Sequence, residues 1–165
     1  MHRVLTAVLR AGIAAALAVG LFGQIVVIPT TAADEADVFP PYAPYVVPYA
    51  TVAILGVLCV QVALVAVWRL LAMVERDALF SPRAFRWVDT VIGAAAVATL
   101  LALGVSGHLA VAEIPSPDDG MDVLGALVTA SGCAVVGAAF VMLTLVMRGL
   151  LRKATDLETE MAQVV

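Results

Sequence analysis

Four long apolar stretches run through the chain, and short polar segments separate them. A helix needs about 20 predominantly apolar residues to cross a bilayer. The stretches that meet this length are residues 11–29, 46–71, 88–111 and 123–147. An apolar content of 63% with only 13% charged residues also lies far outside the range of soluble domains. We therefore predict an all-α integral membrane protein, a single domain in which four transmembrane helices form a bundle.

Charged residues are distributed unevenly among the polar segments. Residues 30–45 and 112–122 contain seven acidic residues and no lysine or arginine, whereas the other parts of the chain hold all nine basic residues. Cytoplasmic loops of membrane proteins carry an excess of Lys and Arg. This bias places both termini and the loop at 72–87 in the cytoplasm and the two acidic loops outside. We expect a multi-pass protein of the bacterial inner membrane, the plasma membrane.

Residues 69–89 form the long polar interruption between the two apolar halves. The segment contains or adjoins four arginines and two tryptophans, as expected between two membrane interfaces: Arg69, Arg76, Arg83, Arg86, Trp68 and Trp87. Ser81 and Pro82 have the residue types of an N-cap and a first helical position, and Phe80 can pack on Phe85 across the first turn. A helix is therefore predicted to begin at Pro82 and to continue into the third span. These residues fit an ordinary interfacial helix start or a docking surface for a cytoplasmic partner.

The N-terminal region has features of both an uncleaved anchor and a secretory signal. Its apolar run of about 18 residues is longer than the usual signal core of about 7–15 residues, which favours the uncleaved anchor. The following outer loop, residues 30–45, contains Pro40, Pro41 and Pro44. Proline disfavours a helix at and before its own position. We therefore expect extended backbone in this loop.

Regular spacings in the fourth span and the tail predict packing against other helices. Gly125, Thr129, Cys133 and Gly137 lie four residues apart and would allow close approach of another helix. Residues 148–165 are predicted to form a short cytoplasmic helical tail with an apolar heptad seam, made of Leu150, Ala154, Leu157, Met161 and Val164. Two heptads are marginal alone. The seam should pack on the central loop, on a second copy or on a partner.

Few polar side chains lie within the predicted spans. We interpret Gln24 and Gln61 as candidate intramembrane contacts, since such groups commonly form interhelical hydrogen bonds worth about 1 kcal/mol. His108, at the outer end of the third span, is interpreted as an interfacial hydrogen-bonding group, because no second histidine in the membrane could complete a haem or metal site. Cys59 and Cys133 lie within apolar segments and are predicted to be small core residues rather than a redox pair.

Three tyrosines, Tyr42, Tyr45 and Tyr49, cluster at the outer end of the second span. Amphipathic rings settle at headgroup depth in membranes. We interpret them as a membrane-anchoring belt, in preference to a ligand cage.

The sequence contains no recognisable catalytic, metal-binding or nucleotide-binding motif. No nucleophile, base and orienting group can be assembled, and no glycine-rich phosphate loop is present. The basic residues are too scattered to bind nucleic acid directly. We predict a protein that is not an enzyme, with no catalytic residues, no cofactor and no metal.

Two short motifs stand out beside the four-span layout: Leu79-Phe80-Ser81 followed by basic residues, and Leu151-Arg152-Lys153-Ala154 followed by Leu157-Glu158. Together these features resemble domain-of-unknown-function family 2975. Many members have an Asn shortly after the loop serine, where this chain has Phe85 and Arg86. The resemblance implies a small four-span bacterial membrane protein without assigned catalytic residues, often encoded beside a small helix-turn-helix regulator.

We therefore expect an accessory or regulatory protein whose cytoplasmic face engages a partner such as that regulator. The candidate partner surface comprises Arg76, Phe80, Arg83, Phe85, Arg86, Leu157 and Met161. One alternative is a small transporter or channel subunit that acts as a homo-oligomer, with Gln24, Gln61 and Thr129 converging on a polar cavity. A membrane enzyme that uses His108 as a base or ligand is a second alternative.

Overall fold

The protein is described by a computed structural model that covers residues 2–74, 82–117 and 120–162. Five α-helices account for most of these residues: α1 (His2–Phe22), α2 (Ile28–Val38), α3 (Ala43–Val74), α4 (Pro82–Val111) and α5 (Met121–Ala162). None of the described residues lies in a β-strand. Four helical segments are long and apolar enough to cross a membrane: Val4–Val38, Pro40–Met73, Ala84–Val111 and Met121–Ala154. The predicted all-α fold with four membrane-spanning helices is confirmed.

The first span consists of α1 and α2, which a π-helical turn at Gly23–Val27 joins without a break. Pro29 lies shortly after the π-helical turn, so its missing backbone N–H removes one hydrogen bond within a continuous helix. The side-chain hydroxyl of Thr30 donates a hydrogen bond of 2.7 Å to the carbonyl oxygen of Val26. Helical structure continues past the proline, to Val38.

The expectation of extended backbone at residues 30–45 is wrong for most of that segment. Phe39 is the extended residue (φ −132°, ψ 90°), Pro40–Tyr42 forms a short 3-10 helix, and α3 begins at Ala43. Pro40, Pro41 and Pro44 each lie where a proline disturbs little, after the end of α2 or within the first turn of the next helical segment. The turn between the first two spans is consequently much tighter than the sequence suggested.

Helix α4 lies between α3 and α5 and packs extensively against both, whereas α1 and α2 pack against α3. Among the described residues, no comparably extensive contact joins α1 to α4 or α5. The chain exposes 11205 Å² of surface, whereas a compact soluble protein of 17.1 kDa would expose about 7,700 Å². The bundle is therefore open, and most of its apolar side chains face outward.

Small residues make the closest helix contacts. Three of the six buried apolar residues are alanines; the set is Ile13, Ala66, Ala84, Val91, Leu109 and Ala134. Ala134 lies on α5 one turn before Gly137, where a Cβ atom would overlap the Thr99 side chain of α4. Small side chains of this kind allow helices to approach closely in a membrane, where van der Waals packing drives association.

The alternating direction of the helices gives the molecule two chemically different ends. The acidic end contains α2, the starts of α3 and α5, and the end of α4. The basic end contains the start of α1, the end of α3, the start of α4 and the C-terminal part of α5.

Candidate functional site

Two contacts between neighbouring helices stabilise the basic end. The Arg69 guanidinium carbon on α3 lies 5.8 Å from the ring centroid of Trp87 on α4, within the range of a cation–π contact. Arg148 on α5 donates a hydrogen bond of 3.0 Å from Nη2 to Oδ2 of Asp89 on α4, and its Nε lies 2.5 Å from Oδ1. Together the contacts connect α3, α4 and α5 where they leave the membrane.

Sequence reasoning missed the Asp89–Arg148 pair, although a signal for it existed. Asp89 lies at the start of the third predicted span and Arg148 follows the fourth, so alternating topology places both at the same end of the molecule. Opposite charges at adjacent helix ends then form the natural pair. The sequence does not reveal how each helix is rotated about its axis, so it did not show that these two side chains face each other.

The candidate partner surface is only partly within the described residues. Arg76 and Phe80 lie outside them, as does the proposed N-cap Ser81. Arg83, Leu157 and Met161 belong to described helices, α4 and α5. The described side chains are those of Phe85, which is half-buried, and Arg86, which is exposed.

Helix α5 is much longer than a membrane crossing requires. Its 42 residues correspond to about 63 Å at about 1.5 Å per residue, against about 30 Å of hydrocarbon. The helix runs without a break through the segment that carries Leu150 and Ala154, both exposed, and continues to Ala162. Val164, the last residue of the predicted seam, lies outside the described residues.

The intramembrane glutamines lie at the contact between the first span and α3. Gln24, within the π-helical turn, donates a hydrogen bond of 3.0 Å from Nε2 to the carbonyl oxygen of Ile54. A Cβ atom at Gly20 would lie 3.0 Å from Gln61 Nε2, so the Gln61 side chain occupies the space that this glycine leaves open. Both residues therefore belong to the packing of the first span on α3.

Thr129 lies elsewhere, on the exposed surface of α5. Its hydroxyl donates a hydrogen bond of 2.8 Å to the Gly125 carbonyl oxygen on the same helix. It lines a groove of about 730 Å³ whose floor is α4 and whose sides are α3 and α5. The structure does not bring Thr129 together with Gln24 and Gln61.

The two cysteines line this same groove, Cys59 from α3 and Cys133 from α5. Cys59 is half-buried and Cys133 is exposed. The prediction that Cys133 is a core residue is wrong, because the groove leaves that face of α5 uncovered.

His108 joins α4 to α3 at the acidic end. Its Nδ1 lies 2.7 Å from the Tyr49 hydroxyl, and its ring lies edge-on to both Tyr49 and Tyr45 at centroid distances of 5.8 and 6.3 Å. The structure thus gives His108 a hydrogen-bonding partner at the end of its span. Within the described ranges, no group of three or more His, Cys, Asp or Glu side chains is arranged to hold a metal.

The tyrosines line an open, groove-like cavity of about 520 Å³ at the acidic end, which we call the tyrosine cavity. Its polar and aromatic walls are Glu35, Tyr42, Tyr45, Tyr49 and Asp122, and further apolar side chains complete it. These walls come from α2, the 3-10 turn, α3 and α5. Tyr45 and Tyr49 also border a second groove of about 420 Å³ that His108 lines.

Comparison with known proteins identifies a family. The model described as "Protein of unknown function (DUF2975)" matches residues 30–165, which include α3, α4, α5 and most of α2. No curated protein and no solved structure matches the chain. The match covers well over half of the sequence, and the resemblance first inferred from short motifs in the central loop and after the fourth span is confirmed. The chain is a multi-pass membrane protein that belongs to the DUF2975 family.

Proposed function

We propose that this protein is a non-catalytic accessory or regulatory protein of the bacterial plasma membrane. Its basic end lies in the cytoplasm and engages a protein partner such as a helix-turn-helix regulator. The observation that carries the proposal is the continuation of α5 as one helix to Ala162, past the end of its apolar segment.

The part of α5 that extends past its apolar segment is short, and a short isolated helix is only marginally stable in water. Most of the stability of helices in proteins comes from packing an apolar face. The spacing of Leu150, Ala154, Leu157 and Met161 provides such a face on the projecting part of α5. The Asp89–Arg148 pair lies at its base and connects it to α4. A projecting helix with a connected base and a narrow apolar seam suits helix-in-groove recognition by another protein.

The non-catalytic reading is part of the proposal. His108, the residue considered as a base, makes a hydrogen-bonded contact between α4 and α3 through its Nδ1 and the Tyr49 hydroxyl, which gives this histidine a structural role. The transport alternative receives less support, because Gln24 and Gln61 lie in the α1–α3 contact while Thr129 faces a different groove. The walls of that groove are almost entirely apolar.

The test is affinity purification of the full-length tagged protein from its own host in mild detergent. One variant lacks the residues after Gly149, and a second carries Leu157→Glu and Met161→Glu in the seam. A matched control carries Thr155→Glu and Thr159→Glu, which add the same charge to the opposite face of the helix. We expect one cytoplasmic protein to co-purify with the wild type and the control, and to be lost from both seam variants.

Recovery of the same partner with the seam variants would refute the role of α5. Recovery of no partner under any condition would refute the proposal as a whole. Solute flux measured in proteoliposomes would then test the transport alternative directly.

A further inference from the structure

We propose that the tyrosine cavity binds a monovalent organic cation with an apolar body, of the type of a lipophilic ammonium or phosphonium ion. This site lies at the opposite end of the molecule from the proposed partner surface, and its occupation requires no partner there. The argument rests on the shape of the cavity, the fixed positions of its rings and the sign of its charge.

The cavity has the size and construction of a ligand site. Its volume of about 520 Å³ falls within the usual range of about 300–1,000 Å³ for small-molecule pockets. Separate elements contribute to its walls: α2 provides Glu35, the 3-10 turn Tyr42, α3 Tyr45 and Tyr49, and α5 Asp122. A site built between helices in this way exists only in the folded protein.

Contacts with one another and with residues beside the cavity hold the aromatic walls in place. Tyr42 packs edge-on against Phe39 at a centroid distance of 4.9 Å. Tyr45 and Tyr49 pack edge-on at 6.4 Å, and the Tyr49 hydroxyl is tied to His108 of α4. Rings that are already fixed lose little conformational freedom when a ligand binds. Their negatively polarised faces attract a cation, above all a weakly hydrated organic one.

The charged walls all have one sign. Glu35 and Asp122 supply two carboxylates from different helices, and among the described residues no Lys, Arg or His side chain lines the cavity. This arrangement disfavours an anion. A small metal ion would need several oxygen ligands around one point, whereas the described residues hold no cluster of three or more His, Cys, Asp or Glu side chains suited to a metal.

The remaining walls explain the preference for an apolar body. Val46, Leu109, Ile114 and Ala126 are among the side chains that complete the cavity. They can cover hydrocarbon that a hydrated inorganic ion does not possess. Aromatic rings, two carboxylates and aliphatic walls together match a cation whose charge lies within an apolar shell.

The test uses the full-length protein in nanodiscs of phosphatidylcholine, with empty nanodiscs to measure partition into lipid. Tetraphenylphosphonium is the cationic probe, and triphenylphosphine oxide is a neutral compound of similar shape. Equilibrium dialysis measures the binding of each. We expect saturable binding of one tetraphenylphosphonium per protein, about tenfold or more tighter than binding of the neutral compound.

Variants assign the binding to the cavity. Glu35→Gln and Asp122→Asn should each weaken tetraphenylphosphonium binding about tenfold. Asp37→Asn is the matched control, because it removes one negative charge from the opposite face of α2, outside the cavity walls. Tyr45→Leu should weaken binding, whereas Tyr45→Phe keeps the ring and should bind nearly as well as the wild type.

Three outcomes would overturn the proposal. The first is equal binding of the cationic and neutral compounds. The second is a decrease in tetraphenylphosphonium binding in Asp37→Asn as large as the decrease in Glu35→Gln. The third is tetraphenylphosphonium binding no greater than in empty nanodiscs. Thermal unfolding without ligand confirms that each variant is folded. Because no cytoplasmic partner is present in this assay, its result is separate from the result of the affinity purification.

Discussion

At Gly137, α5 lies close against the Thr99 side chain of α4. The Thr99 hydroxyl, which donates a hydrogen bond of 2.8 Å to the Ala95 carbonyl oxygen of its own helix, occupies the space that a side chain at position 137 would need. Thr99 is a β-branched residue on a helix, so its side chain has few alternative rotamers. At this position the absence of a side chain is a packing requirement.

Replacing this glycine should therefore destabilise the contact. We expect Gly137→Ala to lower the free energy of unfolding by about 1–3 kcal/mol, as overpacking of a fitted interface does. Thr99→Ala combined with Gly137→Ala should recover most of the loss. Unfolding by dodecyl sulfate in mixed micelles, followed by circular dichroism, measures the change.

Gly132 provides the control for this experiment. It lies on the same helix, and a Cβ atom there meets nothing within 4 Å. Gly132→Ala should leave the free energy of unfolding unchanged or slightly raised, because alanine has the higher helix propensity. Equal decreases in the free energy of unfolding for Gly132→Ala and Gly137→Ala would contradict the packing argument.

Gln24 makes a second contact whose strength can be measured at one residue. Gln24→Met keeps the approximate side-chain length and removes the hydrogen bond to Ile54, so it should cost about 0.6 kcal/mol and at most about 1.7 kcal/mol. The same unfolding assay applies. Thr51→Val is the control, because the Thr51 hydroxyl bonds only within α3, to the Val47 carbonyl oxygen. A larger decrease in the free energy of unfolding for Thr51→Val than for Gln24→Met would show that the hydrogen bond within α3 contributes more than the bond between the helices.

At the scale of elements, the ends of the helices differ in how firmly they are joined. The first span contacts the rest of the protein through α3, whereas α4 contacts both α3 and α5 along its length. The Asp89–Arg148 pair adds an electrostatic connection at the basic end of α4 and α5. These helices should therefore separate last when the protein unfolds.

The strength of that ion pair is predicted to be modest. The Arg148 and Asp89 side chains are 35% and 47% exposed, so water screens the attraction. A double-mutant cycle with Asp89→Asn and Arg148→Gln should give a coupling energy of about 0.2–1 kcal/mol. Pairing Asp89→Asn with Arg152→Gln, an exposed arginine about one turn further along α5, should give none. Coupling of the same size in both cycles would show a general effect of charge at this end.

Sequence information was sufficient for these elements where their structure depends on local chemistry. The start of α4 at Pro82 follows from residue types within one turn, and the spans follow from apolar runs longer than a bilayer requires. The helical structure of α2 was missed because three prolines dominated the reading of residues 30–45. Their effect depends on where each one falls relative to a helix end, which composition does not reveal.

The candidate sites were less predictable for a different reason. Tyr45 and Asp122 are far apart in sequence, and both line the tyrosine cavity only because α3 and α5 flank α4. Hydropathy places residues along the membrane normal but not around a helix axis. The charge distribution did indicate that Tyr45 and Asp122 share an end of the molecule. The sequence pattern could not predict that both side chains line the same cavity.

For the whole molecule, the charge distribution predicts the direction of insertion. Starting from Cys59→Ala with Cys133→Ala, we expect Asp34→Cys to react with a membrane-impermeant maleimide in intact cells. Arg152→Cys should react only after the cells are opened. The physical reason is that segments rich in Lys and Arg remain in the cytoplasm. The reverse labelling pattern would place the basic end outside and refute the proposed site of partner binding.

The π-helical turn at Gly23–Val27 has a consequence for how related chains are compared. A π turn contains about one residue more than an α turn, and each α-helical residue rotates the chain by about 100° about the axis. A relative with one residue fewer here would form an uninterrupted α-helix and would still present nearly the same row of α1 side chains to α3, because a π turn and an α turn both complete one rotation about the axis. In an alignment of such chains, a single gap at these five positions would therefore identify members that lack the π turn but keep the surface that the first helix offers to lipid.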